Sequence, residues 1–233
     1  MYPHCAKINN FGTDQTEKKE NRLRPGGCMR VWGAGLLICL LSVCAFAHER
    51  VSPYAIPICA AIIHEMTEGK VTLDKSTEIA QAIAEAGNNH FERVTCGDMW
   101  LYMAIVYVES GFQNNIINYQ NCWGMFQVHA PSWAGKFGID YEDLLDVDIN
   151  AHCGVGVFKY YLGRYKNPRH ALSAYNTDHP TAGLGYASAV LATRERIKKR
   201  YLELYRVIRA KNSPPPQEPE NLDQQVRVSA TQD

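Results

Sequence analysis

The hydrophobic pattern changes period several times along the chain, and each change predicts an element. From Met99 to Val108 every residue is apolar. A run with no polar face predicts a helix buried on all sides. Asp98 can cap it at the front, and Gly111 can supply the left-handed turn that ends it. Upstream, Asp74 is expected to cap an amphipathic helix over Lys75 to Ala86, with Ile79, Ala82, Ile83 and Ala86 on one face and Gly87 as terminator. Tyr54 to Met66 is apolar and broken by Pro57, which predicts a short helix lying against the domain.

Downstream, Gln113 to Gln120 is Asn-rich and polar, a loop by composition. Asp148 is expected to cap a helix from Ile149 to about Tyr165, in which Gly154 and Gly156 permit close helix contacts, and Pro168 suits the first turn of the next helix. From Tyr186 to Arg209, residues Tyr186, Val190, Ile197, Tyr201, Leu204 and Ile208 keep one apolar stripe on a long helix that Ser213-Pro-Pro-Pro216 must stop. No clear strand signal or internal repeat is present. The expected fold class is therefore all-α.

The chain has 233 residues, a formal net charge of +0 and 46% hydrophobic residues. This describes an ordinary globular protein, and the lack of basic excess argues against a nucleic-acid partner. Met29-Arg30 precedes an apolar run of about 17 residues ending in Ala45-Phe46-Ala47. That is the shape of a secretory signal over 29–47, cleaved after Ala47, with an uncleaved membrane anchor as the alternative. Val43 occupies a position that a lipoprotein acceptor site at Leu41-Ser42-Val43-Cys44 would give to a small residue. Residues 1–28 are then a leader, or an upstream extension of a chain that starts at Met29. Residues 48–210 form the expected domain, and 211–233, polar and Gln-rich, the expected disordered tail.

Cys5, Cys28, Cys39 and Cys44 fall in the leader, leaving Cys59, Cys96, Cys122 and Cys153 in the exported part. An even number in an oxidising compartment suggests two disulfides. Of the three pairings, Cys59–Cys96 with Cys122–Cys153 would tie the first helix to the core and the Cys122 loop to the next helix. Four buried thiols are the alternative.

Glu109 is where the chemistry concentrates. It lies in the last turn of the apolar helix, where the helix dipole and an apolar neighbourhood both disfavour a negative charge. Its pKa should rise, keeping it protonated near neutrality as a general acid must be.

Glu109-Ser110-Gly111-Phe112, then Gly124-Met125-Phe126-Gln127-Val128, then Ala174-Tyr175-Asn176 resemble, in order, the motifs of the lytic transglycosylases that cleave bacterial peptidoglycan. The similarity covers about residues 73–192. It implies a lysozyme-like domain, shared with goose-type lysozymes, in which a Pro and short helix follow the second motif, here at Pro131 and Trp133. It also implies that Glu109 acts first as acid and then as base, with no metal or other cofactor. Ser110, Gln127 and Asn176 would contact the substrate, and the Tyr175 hydroxyl would contact Glu109. The product would carry a 1,6-anhydro-N-acetylmuramoyl end. Peptidoglycan glycan strands are the implied partner, the protein a monomer, and the site of action the periplasm or cell envelope. Small single-domain enzymes of this kind often serve a secretion or conjugation apparatus.

Where the family continues with a small residue and then glycine, this chain has Thr177-Asp178-His179-Pro180. Asp178 is thus a candidate second carboxylate that could position water. A goose-type muramidase and a non-catalytic glycan-binding scaffold are the alternative functions. Cys122 with His129, His152 or His179 would instead make a thiol peptidase. Neither an H-E-x-x-H nor a G-x-S-x-G motif is present to support a zinc or ordinary serine hydrolase.

Overall fold

The computed structural model describes residues 55–91 and 95–212. The expected leader, signal, proline stop and most of the tail lie outside the described residues. Seven α-helices are present among the described residues: α1 (Ala55–Met66), α2 (Leu73–His90), α3 (Cys96–Ser110), α4 (Ala130–Phe137), α5 (Val147–Tyr165), α6 (Pro168–Thr177) and α7 (Leu184–Asn212). A 3-10 turn spans Glu142–Leu145. The all-α expectation holds, with one addition. Strands β1 (Cys122–Trp123) and β2 (Val128–His129) pair antiparallel, with Trp123 opposite Val128 and Cys122 opposite His129. Two residues per strand are too short to show the alternation that signals a strand.

The apolar run becomes α3, and it is central. Met99 and Met103 to Val106 are all but completely buried. The helix packs on α2 and α7, α5 packs on α2 and α6, and α1 rests on α2 and α7. One continuous core runs through all of them, from Ala55 to Tyr201. At the surface, Arg200 on α7 makes paired hydrogen bonds of 2.8 and 2.7 Å to Glu65 on α1. That contact registers the two helices, and its exposure to water keeps it weak.

Several boundaries differ from the sequence expectation, each for a local reason. Thr95, not Asp98, caps α3; Asp98 is the third residue of a capping box, accepting from the Thr95 backbone N at 2.9 Å while its own N–H donates to Thr95 Oγ1. The box satisfies two helix-end donors at once, which a lone Asp98 cap could not. Likewise Thr72 replaces Asp74 as the cap of α2, and Asp146 replaces Asp148 as the cap of α5. Gly87 does not end α2, which continues to His90. There the His90 Nε2 hydrogen-bonds the His152 carbonyl of α5 at 2.8 Å. That long-range contact offsets the roughly 0.5–1 kcal/mol cost of a mid-helix glycine. Gly111 does end α3, in the left-handed conformation.

The expected disulfides are not formed: Cys59, Cys96 and Cys153 are free thiols. Burial pushes the thiols of Cys59 and Cys153 up to about 12, so both stay protonated and unreactive. Cys122 is not a free thiol and is wholly buried, which removes it as a nucleophile.

Candidate active site

Glu109 occupies the last turn of α3, and only 8% of its surface is exposed. Burial raises its pKa to about 8, against the lowering effect of a hydrogen bond from Tyr186. Burial therefore keeps the carboxyl protonated at neutral pH, the direction its apolar neighbourhood suggested. Tyr186, on the first turns of α7, donates its hydroxyl to Glu109 Oε1 at 2.6 Å. With Oε1 accepting that bond, the acidic hydrogen belongs on Oε2.

Tyr186 replaces Tyr175 in the contact foreseen from the resemblance. The hydroxyl of Tyr175 donates instead to the carbonyl of Phe126 at 2.8 Å. It thus fastens α6 to the Gly124–Gln127 loop. Burial raises the pKa of Tyr175, and a charge on Glu109 adds to the rise. Sequence reading had placed Tyr186 on the apolar stripe of α7. The polar tip of an otherwise buried tyrosine was the only signal of its second role.

The loop carrying Gln127 is shaped by three features. Gly124 has φ +72°, and a Cβ there would collide with the Asn150 side chain and the Leu144 carbonyl. Gly154 of α5 lies directly against the Phe126 ring of this loop, and the close helix contact expected of these glycines is made by Gly156, against Phe137 of α4 and His90 of α2. Asn150 has no exposed surface and spends its whole amide on backbone groups. Its Oδ1 accepts from Phe126 N at 2.8 Å, and its Nδ2 donates to the carbonyls of Trp123 at 2.9 Å and Leu144 at 2.8 Å. No motif pointed to Asn150, although an amide among apolar positions of a buried helix face is the sort of residue that must find partners.

Gln127 is buried and left-handed, with φ +48°, a strained geometry for a residue with a Cβ. Its side chain returns to its own loop, Nε2 donating to the Gly124 carbonyl at 2.8 Å and to the Ile116 carbonyl at 3.3 Å. Phe112, with φ +66°, is strained in the same way just after Gly111. Ser110 is buried and bonds back into α3 through the Val106 carbonyl at 3.1 Å. Asn176, in the last turn of α6, is 7% exposed, and its side-chain amide makes no hydrogen bond with the described residues.

Asp178 adopts the left-handed cap of α6. Its Oδ1 accepts from the Tyr161 hydroxyl of α5 at 2.8 Å. The carboxylate is thereby committed to α5. No group of three or more His, Cys, Asp or Glu side chains that could hold a metal ion occurs among the described residues.

Residues 97–188 match the family model described as the Transglycosylase SLT domain. No curated protein and no solved structure matches the chain. The matched segment runs from the first turn of α3 to the first turns of α7 and contains Glu109, Gln127, Tyr175, Asn176 and Tyr186. With its all-α fold, the chain is consistent with the lytic transglycosylase family, residues 97–188 being similar to that family's SLT domain.

Proposed function

We propose that this protein is a peptidoglycan lytic transglycosylase in which Glu109 is the sole acid and base. The observation that carries the reading is a buried Glu109, protonated near neutrality, oriented by Tyr186 at 2.6 Å at the end of a rigid helix. The glycosidic oxygen between N-acetylmuramic acid and N-acetylglucosamine takes the proton from Glu109 Oε2 as its bond to C1 breaks. The substrate's N-acetyl group stabilises the resulting cationic centre, so no second protein carboxylate is required. Glu109, now ionised, removes the proton of the C6 hydroxyl, and that oxygen bonds to C1 to close the 1,6-anhydro ring. The proton count closes and no water enters.

Burial serves both halves of the cycle. It keeps the acid protonated before cleavage, and it makes the product carboxylate basic enough to recover a proton afterwards. The resemblance gives Gln127, Asn176 and Ser110 the substrate contacts; here the Gln127 amide and the Ser110 hydroxyl bond within their own segments, so they would act on the substrate chiefly by shaping its surroundings. Asp178, held by Tyr161, takes no part in this reading. Because the substrate lies outside the cytoplasmic membrane, the protein must be exported, and residues 29–47 are the expected signal. No helix among the described residues is long and apolar enough to cross a membrane.

Mass spectrometry of products from purified glycan strands tests the proposal. Ends carrying 1,6-anhydro-N-acetylmuramic acid are expected. Reducing ends, heavier by one water, would make the enzyme a muramidase, and no cleavage by folded protein would leave a glycan-binding scaffold.

A further inference from the structure

Residues 178–183 join α6 to α7 and lie open to solvent until the last of them, Gly183, which is buried. A single hydroxyl holds the two ends of this segment. Ser173, on α6, has no exposed surface. Its Oγ donates to the His179 carbonyl at 2.8 Å and accepts from the Gly183 N–H at 2.8 Å. One hydrogen is all a hydroxyl can give, so the first bond spends it and the second uses a lone pair. Thr177 reinforces the near end, its Oγ1 donating to the Ser173 carbonyl at 2.9 Å and accepting from His179 N at 3.3 Å.

The far end leads to the active site. Gly183 sits so closely on α6 that an added Cβ would lie 2.6 Å from the Ser173 carbonyl oxygen. The Gly183 carbonyl in turn accepts from Ala187 N at 3.0 Å, closing the first turn of α7, and Tyr186 lies in that turn. The connection thus runs without a gap from Ser173 through Gly183 and the start of α7 to the Tyr186 hydroxyl and Glu109 Oε1. The titratable groups that face Glu109 are Tyr186 from α7 and Tyr175 from α6. Tyr175 gives its hydroxyl to Phe126, which leaves Tyr186 as the one whose placement sets a bond to the carboxyl.

We propose that Ser173 is a positioning residue, which fixes the start of α7 on α6 so that the Tyr186 hydroxyl meets Glu109. Its effect on rate rests on the transglycosylase reading above; the placement itself does not. The first turn of a helix has N–H groups without partners inside the helix, and it opens readily unless something outside holds it. A hydrogen bond of 2.6 Å, by contrast, needs both a short distance and a good angle. Tyr186 therefore stands on the part of α7 least able to place it, and Ser173 supplies the restraint. Releasing the restraint weakens a bond that lowers the Glu109 pKa, so that pKa rises further.

The test is Ser173→Ala, with Gly183→Ala as a second route that forces the same junction apart while keeping the hydroxyl. Carbon-13 NMR of the whole chain, labelled at the glutamate carboxyl carbons, follows the titration of Glu109 as the signal that Glu109→Gln lacks. Each variant should raise the midpoint by roughly 0.3–1 pH unit, the worth of one hydrogen bond, as should Tyr186→Phe. Adding Ser173→Ala to Tyr186→Phe should raise it no further. In glycan cleavage, kcat should fall by about two- to tenfold with KM unchanged, because Ser173 is wholly buried. A midpoint that Ser173→Ala leaves in place would overturn the proposal, and so would an equal shift with and without Tyr186→Phe. Should Ser173→Ala not fold, the Gly183→Ala titration decides: a raised midpoint supports the restraint and an unmoved one overturns it. A wild type that cleaves no glycan would defeat the transglycosylase reading, while the titrations, made without substrate, would still decide the role of Ser173.

Discussion

Tyr186 Oη donates to Glu109 Oε1 at 2.6 Å, joining the start of α7 to the end of α3. This bond selects which carboxyl oxygen carries the acidic proton, and it opposes the pKa rise that burial imposes. Tyr186→Phe should therefore move the alkaline limb of the pH–rate profile upward. It should also lower kcat by about two- to tenfold, the worth of one hydrogen bond. Tyr175→Phe should leave that limb in place and lower stability instead, since its hydroxyl holds the Phe126 carbonyl. A profile displaced by Tyr175→Phe and not by Tyr186→Phe would reverse these assignments.

Glu109→Gln should retain the fold and lose at least about 10²–10⁴-fold in activity, the usual contribution of one general acid–base group. Full activity in this variant would remove Glu109 from the mechanism.

The raised pKa of Glu109 also makes stability depend on pH. Between the ordinary carboxyl value of 4.5 and about 8, the folded state holds a proton that the unfolded state has lost. The unfolded state thus binds fewer protons, and stability falls as pH rises through this window, by up to about 1.4 kcal/mol per unit. Above about pH 8 this contribution is flat. Denaturant titrations of wild type and Glu109→Gln across pH 5 to 9 should diverge by this slope, and parallel curves would contradict the burial of the group.

Asn150→Ala should be more damaging than its distance from the chemistry suggests. It strands the Phe126 N–H and the Trp123 and Leu144 carbonyls inside the protein. At about 1–3 kcal/mol for each buried group left unpaired, the melting temperature should drop sharply and activity with it. A Tm within a degree or two of wild type would show that water reaches these groups.

Asp178→Asn should leave the product distribution unchanged and all ends anhydro, because Tyr161 engages the carboxylate. A shift in the ratio of reducing to anhydro ends would give Asp178 a role with water.

The thiols offer a further check. Native protein treated with an alkylating reagent at pH 8 should leave Cys59 and Cys153 unmodified, and denaturation without reductant should expose both together with Cys96. Failure of any two of these three to label after denaturation would restore a disulfide between them.

The sequence by itself determined the all-α class, the burial of most of α3, its stop at Gly111 and the raised pKa of Glu109. These follow from local physics: an unbroken apolar run has little face to give to water, and a carboxyl in its last turn is buried along with it. The capping boundaries were partly legible, since Thr95-Cys96-Gly97-Asp98 already spells a capping box. Only the tertiary structure decided the rest. Tyr186 and Glu109 are 77 residues apart, and a hydroxyl on an apolar stripe does not announce which distant group it will meet. Asn150, the continuation of α2 through Gly87 to the His90–His152 contact, and the free state of Cys59, Cys96 and Cys153 share that origin. Each depends on where two helices cross, and helix crossings are settled by packing the whole core at once.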